Sequence, residues 1–420
     1  MPTGSPPRTW VARLPEHRRA RQLALVGVAV LVGATFLAPG TSAGAPPALP
    51  PDQPLRVGGV VDAELYGGAT LGAQARFAAV NAAGGVHGRP IEIVGVTDDH
   101  RSPPEHAAAL RHLLGDEHVD AVVPLVSGAF AGVPDLERSR VPAFGWGISG
   151  AYCGSTWVFA ITGCLTPLLP RRAPGIWGVA IQRLLHARDS GSTAAVVADD
   201  GGADRAVAEV SAVARAAGLR LVYARARLSA GGPAGTDVGA IARAVLRADR
   251  GKPPAVVFTV SSFANVAALQ ATLRAQGYTG ITTNLVQYAP FLAGPAAGAD
   301  VLTQFATPES APQNPAMQRI VEEIAAVNSG PITPAMLAGW FAADFFVKAA
   351  TRAGAGATAA DIRRVARRST YRVPKTIGPT RFPDAFTIAT SCGQLVSGDG
   401  TGYTVAVPFG CSPTVALSPK

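Results

Sequence analysis

Residues Asn81 to His100, NAAGGVHGRPIEIVGVTDDH, hold a helix end, a tight turn and a strand in immediate succession, so this region must alternate helices with strands. Gly84 and Gly85 stop the preceding helix, because glycine enters the left-handed conformation after a last helical turn without a steric penalty. Val86 to Pro90 turns the chain. The β-branched run Ile91, Ile93, Val94 and Val96 then closes on Asp98 and Asp99, which predicts a strand whose carboxyl end delivers acids into a loop.

The same alternation continues in both directions. Leu55 to Val61 predicts a first strand, and Gly68 to Val80 a helix with a broad apolar face. Ser102-Pro103-Pro104-Glu105 has the form of a capping box, with proline at the first helical position. Strands are expected at Val119 to Val123 and Val141 to Phe144. A second unit starts near Cys164, with strands at Ala194 to Ala198, Leu219 to Leu228 and Ala255 to Val260. Helices intervene, one of them Asp204 to Ala217 stopped by Gly218. A long apolar helix follows Thr333-Pro334. The fold class is therefore α/β, with doubly wound parallel sheets whose ligands sit beyond the carboxyl ends of the strands. At 420 residues the chain exceeds what one core usually holds, so two lobes are expected.

The amino terminus follows different rules. Five arginines from Arg8 to Arg21 precede an apolar run from Leu23 to Leu37 and small residues at Ser42, Ala43 and Ala45, the pattern of a secretory leader. The run falls short of the roughly 20 residues that span a membrane. Cleavage and retention as an anchor both fit it. Arg18-Arg19 suggests twin-arginine export, but Ala20-Arg21-Gln22 lacks the Phe-Leu that usually follows, and no cysteine is near enough for lipid anchoring. The net charge of +9 falls to +5 once residues 1–43, with five Arg and the single acid Glu16, are set aside. The remaining arginines lie along amphipathic helices without interleaved aromatics, so no nucleic-acid partner is expected. Four cysteines in an exported chain predict disulfides. Three connectivities are possible, and Cys153 with Cys164 and Cys392 with Cys411 are the pairs nearest in sequence.

VNAAGGVHGRPIEIVGVTDD, HVDAVVPLVSG, TDVGAIARAV before PPAVVFTV, and KTIGPTRFPD stand in the order and at the spacings of a known family. From Leu55 to about Tyr403 the chain resembles the type I periplasmic binding proteins, in the branch of leucine/isoleucine/valine-binding proteins that serve ABC transporters. The resemblance implies two lobes joined by three crossovers that close on a small ligand. The implied division is a leader at 1–45, a Pro-rich linker at 46–54, a first lobe from 55–165 and a second from 166–282. The chain would return to the first lobe at 283–350 and complete the second at 351–420. The resemblance also implies that a ligand carboxylate is held by the loops Leu125 to Ala129 and Gly145 to Ser149, through Ser127, Gly128, Gly147 and Ser149. Tyr66 matches an aromatic placed over the ligand, and Trp146 and Phe263 are further apolar walls.

The second lobe departs from the pattern. The acid that pairs with a ligand ammonium in amino-acid binders aligns with Asn265, and the Asp199-Asp200 loop lacks the family's Tyr-Gly. A neutral amide cannot replace a carboxylate beside a buried cation without a desolvation cost. A carboxylate- or amide-bearing ligand with an apolar body is therefore expected to bind better than a zwitterionic amino acid. No cofactor, metal or catalytic residue is expected. Gly145-x-Gly147-x-x-Gly150 has the form of a dinucleotide fingerprint but opens no long helix, and Asp98-Asp99-His100 reads as helix-capping and crevice-lining acids. The implied partners are a small ligand and an ABC permease. A secreted or anchored ligand sensor on the same fold is the alternative, which the missing lipid-anchor cysteine keeps open.

Overall fold

The structure, a computed structural model, describes residues 53–417 except 167–170, 201–203, 286–287, 290–292 and 294–298. The expected leader and all but the end of the expected linker lie outside the described residues.

The first lobe comprises β1 (Leu55–Val61), α1 (Ala63–Tyr66), α2 (Gly68–Ala82), β2 (Ile91–Asp98), α3 (Pro103–Gly115), β3 (Ala121–Val126), α4 (Val133–Ser139), β4 (Ala143–Gly145) and β5 (Val158–Ala160). The turn between α2 and β2 forms as its residues require. Gly84 and Gly85 have φ of 96° and 75°, and the Asn81 side chain clamps Ile91 from both sides, accepting from its N–H at 2.8 Å and donating to its carbonyl at 2.9 Å. Of the expected capping box at the start of α3, only half is present: Ser102 Oγ accepts from Glu105 N at 3.4 Å.

The second lobe comprises β6 (Arg172–Ala173), α5 (Ile176–Ala187), β7 (Thr193–Asp199), α6 (Asp204–Ala216), β8 (Arg220–Leu228), α7 (Val238–Leu246), β9 (Val256–Val260), α8 (Phe263–Ala275), β10 (Ile281–Leu285) and β11 (Ala299–Thr303). The chain then supplies α9 (Pro315–Ala325), α10 (Pro334–Ala353), α11 (Ala359–Ala366) and the hairpin β12 (Thr370–Val373) with β13 (Ile377–Arg381). It ends in β14 (Cys392–Gly398), β15 (Tyr403–Cys411) and β16 (Val415–Ala416).

The first sheet has the order β2-β1-β3-β4-β5, all parallel, and the second repeats it as β8-β7-β9-β10-β11 before adding β14 and β15 antiparallel at one edge. Apolar layers cover both faces of each sheet: α2 and α10 oppose α3 and α4 in the first lobe, and α5 and α6 oppose α7 and α8 in the second. These are two doubly wound α/β lobes.

The boundaries differ from the expected ones. β10 and β11 belong to the second sheet, so the return to the first lobe begins after Thr303 rather than at 283. It also ends later than 350, since Ile362, Tyr371, Ile377, Phe382 and Phe386 share one core with α2 and α10. The hairpin strands are short and hydrophobic on one side only, so pattern alone does not tell which core they cover. The chain thus crosses between lobes three times: after β5, after β11 and between Phe386 and β14. The first and third run together, with Thr390 N donating to Thr162 O at 2.9 Å and Cys164 N to Ile388 O at 3.3 Å. Cys153 pairs with Cys164, and Cys392 with Cys411, directly opposite across β14 and β15. Each bridge adjoins a crossover. No helix among the described residues is long and apolar enough to cross a membrane.

Candidate functional site between the lobes

In an open parallel sheet of order 2-1-3-4-5, the loops leaving strands 1 and 3 diverge and leave a crevice beyond the strand ends. In the first lobe these loops carry Tyr66 and Ser127, with Trp146, Gly147 and Ser149 following β4. In the second lobe they carry Asp199, Asp200, Phe263 and Asn265. β5 and β11 feed the first two crossovers from their carboxyl ends, so both sets of loops adjoin the hinge.

On the first-lobe side, Tyr66 stands edge-on to Trp146, with ring centroids 6.0 Å apart. Burial raises the affinity of its hydroxyl for the proton, reinforced by the charge of Asp62. Trp146 is itself buried and donates its indole N–H to Gln304 Oε1 at 2.7 Å, which ties the loop after β4 to the second crossover. It therefore anchors the hinge as well as backing Tyr66. Gly147 has a role in packing: a Cβ there would come within 2.5 Å of Gly163 O and 2.9 Å of Ala160 Cβ, so only glycine lets this loop lie on the first crossover. Gly128 faces open space.

The two serines separate. Ser127 is fully buried, and its hydroxyl accepts from Ala129 N at 2.9 Å, closing its own turn. Its N–H donates to Tyr152 Oη at 3.3 Å, and the Tyr152 hydroxyl continues to Leu125 O at 3.0 Å. Ser149 is half-buried, and its Oγ, shielded from bulk water, has no hydrogen-bond partner among the described residues. Of the two, only the Ser149 hydroxyl lacks a partner among the described residues.

On the second-lobe side, Asn265 is fully buried and donates to Asp199 Oδ1 and Ser229 O, each at 2.8 Å. Its amide nitrogen serves the protein interior, while Oδ1 is buried and has no partner among the described residues. Asp199 is filled as well: Oδ1 also accepts from the Ser261 hydroxyl, and Oδ2 accepts from Ser262 N at 3.1 Å. Asp200 is exposed and accepts from Ala230 N at 3.0 Å, while Phe263, 40% exposed, begins α8 at the lip of the crevice.

Sequence reasoning missed Tyr152, Gln304 and the capping role of Asp199. An acid closing β7 was legible, but its partners come from the loop after β9 and from α8, more than sixty residues away. The acids at the end of β2 are also engaged. Asp99 Oδ2 pairs with the buried His106 at 2.7 Å, and Asp98 accepts from Ala63 N and His100 N. Among the described residues no group of three His, Cys, Asp or Glu is placed to hold a metal.

A family model described as periplasmic binding protein matches residues 59–402. A comparison with curated proteins finds no match. Similar solved structures include a fatty acid ABC transporter substrate-binding protein from Thermomonospora curvata, at 18% identity, 86% of this chain, 93% of that chain and a TM-score of 0.64. The branched-chain amino acid transporter substrate binding protein LivJ from Streptococcus pneumoniae, in complex with isoleucine, matches at 16% identity, 84% and 100% coverage and 0.60. A solute binding protein of an R. palustris ABC transporter, in complex with 4-hydroxybenzoate, matches at 15% identity, 86% and 98% coverage and 0.61. With two doubly wound lobes, three crossovers and a family match over most of its length, the chain belongs to the periplasmic binding protein family and has its type I fold.

Proposed function

We propose that this protein is an extracytoplasmic, non-catalytic solute-binding protein of an ABC transporter, which captures a small carboxylate- or amide-bearing ligand between its lobes and delivers it to a permease. The observation that carries the reading is the shielded, unpartnered hydroxyl of Ser149 at the carboxyl end of β4. A hydroxyl there gains most by donating to an anionic or carbonyl oxygen. In the second lobe both oxygens of Asp199 are occupied and Asn265 is turned inward, so neither supplies a counter-ion for an ammonium. An acid with an apolar or aromatic body fits this asymmetry, with Tyr66 and Phe263 as its walls. The fatty acid, isoleucine and 4-hydroxybenzoate named for the similar structures all bear a carboxylate, and two of them lack an ammonium.

A thermal-shift screen of the mature chain against isoleucine, medium-chain fatty acids, 4-hydroxybenzoate and their amides tests the reading. We expect stabilisation by the acids lacking an ammonium and little by isoleucine. Calorimetry should then show Ser149→Ala weakening the best ligand roughly ten- to hundredfold, the effect of losing a bond to a charged group worth about 1.5–3 kcal/mol. Tight isoleucine binding, or indifference to Ser149→Ala, refutes the assignment.

A further inference from the structure

We propose a second ligand site, outside the crevice loops, that takes a small organic ammonium ion at Glu309. A cavity of about 220 Å³ lies where the second crossover and the loop before α10 meet the β14–β15 turn. At about 30 Å³ per water it has room for roughly seven waters, or one small amine. The rings of Tyr288 and Tyr403, with centroids 4.8 Å apart, form one wall, and Pro331 and Ile332 form another. None of Tyr66, Ser127, Trp146, Ser149, Phe263 or Asn265 lines it.

Among the described residues its side-chain polar atoms are engaged except one. Thr401 gives its N–H and hydroxyl to Asp399 Oδ1, Gly402 gives its N–H to the same oxygen, and Tyr403 donates to Ala289 O. The Tyr288 hydroxyl donates to Glu309 Oε1 at 2.7 Å, and burial together with the Glu309 charge raises its pKa, so it stays a donor. Glu309 Oε2 is shielded from water and has no partner among the described residues. Among the described residues no Lys, Arg or His lines the cavity. The Glu309 carboxylate, two tyrosine rings and aliphatic walls favour a cation with a short organic body, through a charge-assisted contact and cation–π attraction. The same surroundings repel an anion, which sets this cavity apart from the acid-binding crevice.

Titration calorimetry of the mature protein with choline and ethanolamine, with acetate as control, tests the proposal. We expect saturable binding of at least one ammonium probe and none of acetate at this cavity. Glu309→Gln should weaken that binding tenfold or more, and Ile332→Trp, which fills the cavity but keeps the carboxylate, should abolish it. Both variants are to be checked for an unchanged thermal melt. Failure of both probes to bind at millimolar concentration overturns the proposal. So does equal binding by Glu309→Gln, or by a folded Ile332→Trp, since the ammonium would then be held elsewhere.

Discussion

Asn265 shows how a residue's role follows from what surrounds it. Expected from the family resemblance to align with an acid that meets a ligand ammonium, it sits fully buried with its amide nitrogen 2.8 Å from Asp199 Oδ1. Replacing it with aspartate would remove that donor and set two carboxylates against each other in the interior, where like charges interact strongly and one must take up a proton. We expect Asn265→Asp to destabilise the protein by about 3 kcal/mol or more at neutral pH, in the range for breaking a buried charged network. The loss should shrink as the pH falls and the pair gains a proton. Urea melts at pH 7 and pH 5 check this; equal loss at both values would mean that repulsion is not the cause. Ser127 and Ser149 make the same point in reverse. Both occupy loops after strands, yet one hydroxyl is used by Ala129 and the other has no partner among the described residues.

At the scale of elements, α2 and α10 form the tightest junction of the first lobe, and glycine makes it possible. A Cβ on Gly72 would strike Met336 O, and one on Gly339 would strike Ala69 O. The two backbones therefore approach more closely than any side chain allows. Glycine inside a helix costs about 1 kcal/mol relative to alanine, so both helices sacrifice intrinsic stability for contact. Gly72→Ala and Gly339→Ala should each destabilise by about 1–3 kcal/mol despite the better helix former, because the clash is with backbone, which cannot rotate away. Gly115→Ala, at the end of α3 in open space, is the control and should be neutral or stabilising. Denaturant unfolding of the three variants decides; a stabilised Gly72→Ala would show that the helices can separate at little cost.

For the whole molecule, the repeated strand order and the three crossovers suit rotation of one lobe against the other. The disulfides sit beside the crossovers, Cys164 within the first and Cys392 just after the third, so they confine flexibility to the segments between. Small-angle scattering should show a smaller radius of gyration with a crevice ligand than without it; an unchanged radius would count against closure. By itself the sequence determined the alternation of helix and strand, because apolar periodicity, the glycines after α2 and the caps before α3, α7 and α10 act over a few residues. It also ranked the cysteine pairs by proximity, and the structure contains those pairs. Only the tertiary structure decided where the chain recrosses. β10 pairs with β9 and β11, and β11 with the distant β14, which holds both strands in the second sheet, and the one-sided hairpin β12–β13 carries no mark of the core it covers. It likewise decided which polar groups of the crevice remain available. A hydroxyl or carboxylate has the same chemistry in any loop, and whether it meets a ligand depends on neighbours such as Tyr152, Gln304 and Asn265, which long-range packing alone brings into reach.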